Sequence, residues 1–110
     1  MAVNQKIFIN PRFATLVGQV EFTATAKSLI DFFTATNTTA DPQTISIHHV
    51  PPGEQAQDSN KVLSMIDLDP NETFRGAGMI GRQLDTGDRL FVQCSALDAI
   101  CITCNGREIV

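Results

Sequence analysis

Residues Leu84–Val110, LDTGDRLFVQCSALDAICITCNGREIV, hold the clearest structural signal in the chain. Asp85-Thr86-Gly87-Asp88 has the composition of a turn, because Asp and Gly tolerate tight backbone geometry and accept local hydrogen bonds. From Arg89 to Ala96 the side chains alternate, with Leu90, Val92, Cys94 and Ala96 on one face and Phe91, Gln93 and Ser95 on the other. A period of two marks a half-buried strand. Leu97-Asp98-Ala99 is a short connection. Ile100, Ile102 and Cys104 then form a second apolar face, with Cys101 and Thr103 opposite, and Asn105-Gly106 reads as the strand's end. Together the two strands predict a β-hairpin. A three-residue loop pairs Ala96 with Ile100 and Cys94 with Ile102, which keeps both apolar faces on one side. A two-residue loop pairs Cys94 with Cys101 and sets an apolar face beside a polar one. The first register is therefore expected, since a one-residue slip misplaces every side chain.

Further strands lie upstream. Ala2–Phe13 mixes apolar residues with Asn10-Pro11 and reads as an edge strand or an arm, so residues 1–16 are set apart from a domain over 17–110. Val17–Thr25 alternates loosely. Ser28–Thr36 is ambiguous, since Leu29, Ile30, Phe32 and Phe33 also fit a helical stripe; its β-branched and aromatic content favours strand. Asn37–Pro42 is a turn. Gln43–Val50 alternates well, with Ile45, Ile47 and His49 on one side. Pro51-Pro52-Gly53 ends it, and Pro51–Asn60 reads as an exposed polar loop. Val62–Leu68 is a strand, Asp69-Pro70-Asn71-Glu72 a turn with Pro in its favoured second position, and Thr73–Leu84, with its glycines, a bent or bulged strand. Short strands at this spacing, with turn signals between them, predict an all-β fold: an antiparallel β-sandwich, jelly-roll-like, in a single domain.

The chain has 110 residues, a net charge of −4 and no basic block. A chain this size buries roughly 65% of its unfolded surface, enough to fold without metal or disulfide. Binding to a nucleic-acid backbone rests on clustered Lys and Arg, so no nucleic-acid partner is expected. No run of about 20 apolar residues is present, so no membrane span is expected. The start, MAVNQKIFINPRF, lacks the apolar core of a signal peptide, which predicts a cytosolic site of synthesis with reduced cysteines.

No catalytic, cofactor or metal set is expected. Cys101-Ile-Thr-Cys104 has C-x-x-C spacing, but residues three apart on a strand face opposite sides, so small apolar packing roles are expected. Gly76-Ala-Gly78-Met-Ile-Gly81 has G-x-G-x-x-G spacing without the following helix a dinucleotide site requires. Asp67, Asp69 and Asn71 start like a calcium loop, yet Glu72 and Gly78 stand where Gly and a bidentate carboxylate are needed. His48 and His49 point to opposite faces and lack an acidic partner two residues away on their strand. Asn37-Thr-Thr and Asn71-Glu-Thr match glycosylation acceptors, which matters only in a secreted chain.

Several motifs together resemble a known group. They are Phe33-x-Ala35-x-Asn37 at a strand end, the Thr44–Val50 strand, Leu68-x-Pro70-x-Glu72-Thr73, Leu84-x-x-Gly87-Asp88-x-Leu90, and the closing Asn105-Gly106-Arg107-Glu108-Ile109. Over Leu29–Val110 the chain resembles small β-sandwich proteins encoded among bacteriophage structural genes. It departs before Ser28, where Ala24-Thr25-Ala26-Lys27 replaces the group's usual Pro-Gly turn. The resemblance implies a non-enzymatic virion protein. Its first reading is a capsid decoration (cement) protein, a homo-oligomer (trimer or dimer) bound to the major capsid protein; others are a tail or fibre component and a small host-surface sugar-binding module. The residues expected at its interface are Ile7, Phe8, Ile9 and Phe13 of the N-terminal segment, with Pro51 and Pro52 of the loop.

Overall fold

Alternation of this kind is realised almost throughout. The computed structural model describes residues 2–109. Its strands are β1 (Val3–Phe13), β2 (Gln19–Thr23), β3 (Lys27–Asn37), β4 (Gln43–Val50), β5 (Lys61–Leu68), β6 (Thr73–Phe74), β7 (Gln83–Leu84), β8 (Arg89–Cys94) and β9 (Ile100–Ile109). A 3-10 turn, Asp58–Asn60, precedes β5. Sheet A has the order β1-β9-β3-β6, with β7 also on β3; sheet B has the order β2-β8-β4-β5. All pairings are antiparallel. With β6 and β7 taken as two ends of one strand, this is the eight-stranded double-sheet jelly roll. The protein is an all-β sandwich, and its inner faces make one core. Sheet A contributes Ile9, Ile30, Phe33, Ala35, Ile100, Ile102 and Cys104, and sheet B contributes Ile45, Ile47, Leu68, Leu90, Val92 and Cys94.

The helical ambiguity of Ser28–Thr36 has a local cause. A β-bulge at Asp31 sets Asp31 and Phe32 both outward, while Ile30 and Phe33 on either side point into the core. Bulges place an extra residue in one strand and shift its alternation. Apolar residues three apart then mimic a helical spacing.

Three expectations are corrected. Strands β8 and β9 do not form a hairpin. β8 lies in sheet B between β2 and β4, and β9 lies in sheet A between β1 and β3. The predicted pairs Ala96–Ile100 and Cys94–Ile102 are absent; Cys94 pairs with Ile45, and Ile102 pairs with Ala35 and with Arg12. Their apolar faces agree because they meet across the core, not side by side. Ser95 begins the crossing, held by its N–H to Thr44 O (3.0 Å) and by its Oγ accepting Thr44 N–H (2.8 Å).

The second correction concerns Asn105-Gly106, which does not end a strand. β9 runs through it to Ile109, and Gly106 is there because the Leu29 carbonyl and the Phe8 ring approach too closely for a side chain. The third concerns Thr73–Leu84, which is interrupted and not merely bent. β6 pairs with one end of β3 and β7 with the other, while residues 75–80 leave the sheet and bury Met79, and Gly81 and Arg82 return to it through backbone hydrogen bonds with Ile30. Gly76 opens this excursion with φ +92°, and a Cβ on it would stand 2.8 Å from Phe33 O.

Asn37 ties two turns together at the end of β3. Its buried amide donates to Asp41 O (2.8 Å), Leu68 O (3.0 Å) and Asp69 O (3.3 Å), and its Oδ1 accepts Thr39 N–H (2.9 Å) and Thr39 O–H (2.8 Å). The Asn37-Thr-Thr acceptor is therefore fully engaged inside the fold. Asn37→Ala is expected to cost about 3 kcal/mol, since it strands buried carbonyls. A thermal or urea melt reads this, and a loss under about 0.5 kcal/mol, typical of surface sites, would contradict it.

Candidate functional site

β1 is the edge strand of sheet A, paired with β9 from Val3↔Ile109 to Phe13↔Cys101. Its register shifts around Phe8, so Phe8 and Ile9 both turn inward. Ile9 is fully buried, and Phe8 stacks on Phe22 of β2 with ring centroids 4.5 Å apart. These two expected interface residues belong to the core and are not available to a partner. A regular strand cannot send adjacent side chains the same way, and the bulge is what permits it. Arg12 fastens the same edge to β2: its Nε lies 2.9 Å from Glu21 Oε1 without an aligned hydrogen bond, and its Nη2 donates to Glu21 O at 2.7 Å.

Ile7 and Phe13 do face solvent, 62% and 45% exposed. Ile7 pairs with Asn105 of β9, and Asn105 pairs with Phe32 of β3, so Ile7, Asn105 and Phe32 form one row across three strands. Phe32 is 54% exposed. Pro11 and Thr103 join this row around a shallow hollow of about 330 Å³. The nearby charges are matched: Arg107 meets Asp31 bidentately, with Nε–Oδ2 and Nη2–Oδ1 both 2.9 Å. The outer face of sheet A thus presents apolar side chains with its adjacent ion pair already neutralised.

Pro51 and Pro52 lie at the other end of the sandwich. They follow Val50, which pairs with Arg89, whereas Phe13 shares its row with Cys101 and Thr36 near the far end of β3. The six expected residues therefore do not form one surface. The Pro51–Asn60 loop is tied down: Arg89 Nη2 donates to Pro51 O (3.1 Å) and to Glu54 O, and His48 Nδ1 lies 2.9 Å from Asn60 Oδ1.

One grouping escaped the sequence reading. His49 faces inward beside Leu90, where Asp88 and Arg82 reach it. Its Nε2 is 2.8 Å from Asp88 Oδ2, which also accepts Asp85 N–H (2.9 Å), and its Nδ1 is 3.3 Å from Arg82 Nη1. The acidic partner comes from a turn 39 residues downstream, so inspection of neighbouring strand positions could not find it. The only available signal was the inward parity of His49.

Cys101 and Cys104 face opposite sides of β9, as their spacing requires. Cys104 is buried and Cys101 half-buried, and all three cysteines are free. Burial pushes the Cys104 thiol up to about 12 and raises that of Cys94, which keeps both protonated at neutral pH. Among the described residues, no cluster of three or more His, Cys, Asp or Glu is placed to hold a metal ion, and no helix is long and apolar enough to cross a membrane. No protein-family model, curated protein or solved structure matches the chain.

Proposed function

We propose that this chain is a non-enzymatic structural protein of a bacteriophage particle, a capsid decoration (cement) protein that binds the major capsid protein lattice as a homo-oligomer. The observation that carries the reading is the exposed row Ile7–Asn105–Phe32 with its flanking Pro11 and Phe13. Support also comes from the motifs shared with phage structural β-sandwiches, from a jelly-roll core that can hold a surface rigid, and from the low charge of the outer face. Scattered apolar residues are normal on a surface, but contiguous ones on a rigid sheet mark an interaction surface. A contact made by this face is driven by buried apolar area, which salt does not screen.

Phe32→Lys with Ile7→Lys is the test. Both residues are exposed, so the variant should melt within a few degrees of the parent. Burial of each side chain in a contact contributes about 1.5–3 kcal/mol, so attachment to assembled particles should weaken by at least about a hundredfold. Retained full occupancy at high salt would overturn this assignment of the surface.

A further inference from the structure

We infer that the cleft beside His49 is a binding site for a small carboxylate, held by Arg82 and Lys61, with His49 and Asp88 positioning Arg82. This inference is independent of the attachment surface. The cleft has a volume of about 360 Å³ and is lined by His49, Pro51, Glu54, Asn60, Lys61 and Arg82. These residues come from three segments that only the fold brings together: the end of β4, the loop before β5 with the first residue of β5, and the residue that precedes β7.

Arg82 is the central group. A guanidinium has five N–H donors and accepts nothing. Among the described residues, the Arg82 side chain makes two hydrogen bonds, Nε to Gly78 O and Nη1 to His49 Nδ1, both at 3.3 Å, and has no carboxylate within ion-pair distance. Because Arg82 only donates, His49 Nδ1 accepts. His49 then carries its proton on Nε2 and donates to Asp88 Oδ2, and the buried Asp88 is fixed in turn by Asp85 N–H. This chain of donors fixes the guanidinium from one side and leaves further N–H groups unused.

Lys61 is the second donor. Its nearest carboxylate is Asp58 Oδ1 at 3.9 Å, on a fully exposed side chain, a pairing that water and salt largely cancel. Glu54 is the one carboxylate on the lining, and its Oε1 already accepts from Gln57 Nε2 at 3.3 Å. The lining therefore carries two cations against one anion, which matches a monoanion and disfavours a phosphate dianion. A planar carboxylate also suits the fork of an Arg side chain. It can belong to an acidic sugar or to a peptide.

The test is a titration of ¹⁵N-labelled full-length protein at constant ionic strength, following the Arg82 side-chain Nε–H and the His49 ring. The probes are sodium glucuronate, a short peptide with one free carboxylate, and glucose as a neutral control. Either acid should give saturable shifts in the millimolar range, and the tighter one identifies the source. Arg82→Gln should abolish the effect, and Lys61→Gln should weaken binding about tenfold. His49→Gln keeps an acceptor and a donor and should retain binding, while His49→Phe should lose it with the fold intact. If Arg82→Gln unfolds the chain, Lys61→Gln and Arg82→Lys carry the same comparison. Shifts that fail to saturate, that glucose reproduces, that persist in Arg82→Gln or His49→Phe, or that keep the parent affinity in Lys61→Gln would overturn the site.

Discussion

A chain lacking Ala2–Phe13 is expected not to fold. The deletion removes Phe8 and Ile9 from the core, together with the ring stack on Phe22. Large-to-small changes at two such sites cost about 5–10 kcal/mol together, comparable to the roughly 5–15 kcal/mol that holds an ordinary domain folded. It also strips β9 of its partner along β1 and unfastens Arg12 from Glu21. The bare edge of β9 would then invite aggregation, because an unpaired strand edge is a template for another chain. Circular dichroism and a thermal melt read the outcome. A truncated chain that unfolds cooperatively near the parent temperature would mean that β1 is a dispensable arm.

Gly106→Ala is expected to be the most damaging single substitution in the sheets. The added Cβ would sit 2.0 Å from Leu29 O and 2.7 Å from Phe8 Cε2. The first obstacle is backbone, which cannot rotate away, so β3 and β9 must separate at the centre of sheet A. Overpacking costs about 1–3 kcal/mol where side chains can give, and here the loss should be about 3 kcal/mol or more. Gly53→Ala is the internal control. Gly53 has φ +81° and open space around it, so only the left-handed backbone opposes a side chain there. That costs about 1–2 kcal/mol. Equal losses for the two variants in urea melts would show that the close approach at Gly106 is not a constraint.

Local alternation was legible, and long-range partnership was not. Ile45 and Ile47, Leu90 and Val92, and Ile100 and Ile102 announce their inward faces because period-two patterning is a property of each strand alone. The sandwich class follows from several such strands and their turns. Pairing is a different matter. The Leu90 and Ile100 faces agree equally well as neighbours in one sheet or as opposite walls of the core, and only the whole topology decides. Bulges hid the rest. The shift around Phe8 turned two core residues into an apparent arm, and the bulge at Asp31 gave β3 a helical look while leaving Phe32 on the surface. The surface row was therefore visible only through Ile7, with Phe13 flanking it. The His49 cleft was invisible, since Asp88, Arg82 and Lys61 are distant in the chain.

The jelly roll by itself assigns no role, because one fold serves many functions and the work is done by sites placed on it. The two surfaces described here make separate demands. As proposed, the sheet A face meets a large, matching protein surface, whereas the cleft takes a small anion. Loss of one by mutation should leave the other intact, since Phe32 and Arg82 line different hollows.

The most direct measurement is cryo-electron microscopy of phage particles that carry this chain, at a resolution that separates strands. Copies are expected in regular array on the capsid, with Ile7 and Phe32 covered by the major capsid protein or by a second copy of the chain. Density that places the chain on the tail, or on the capsid with the outer face of sheet A open to solvent, would contradict it.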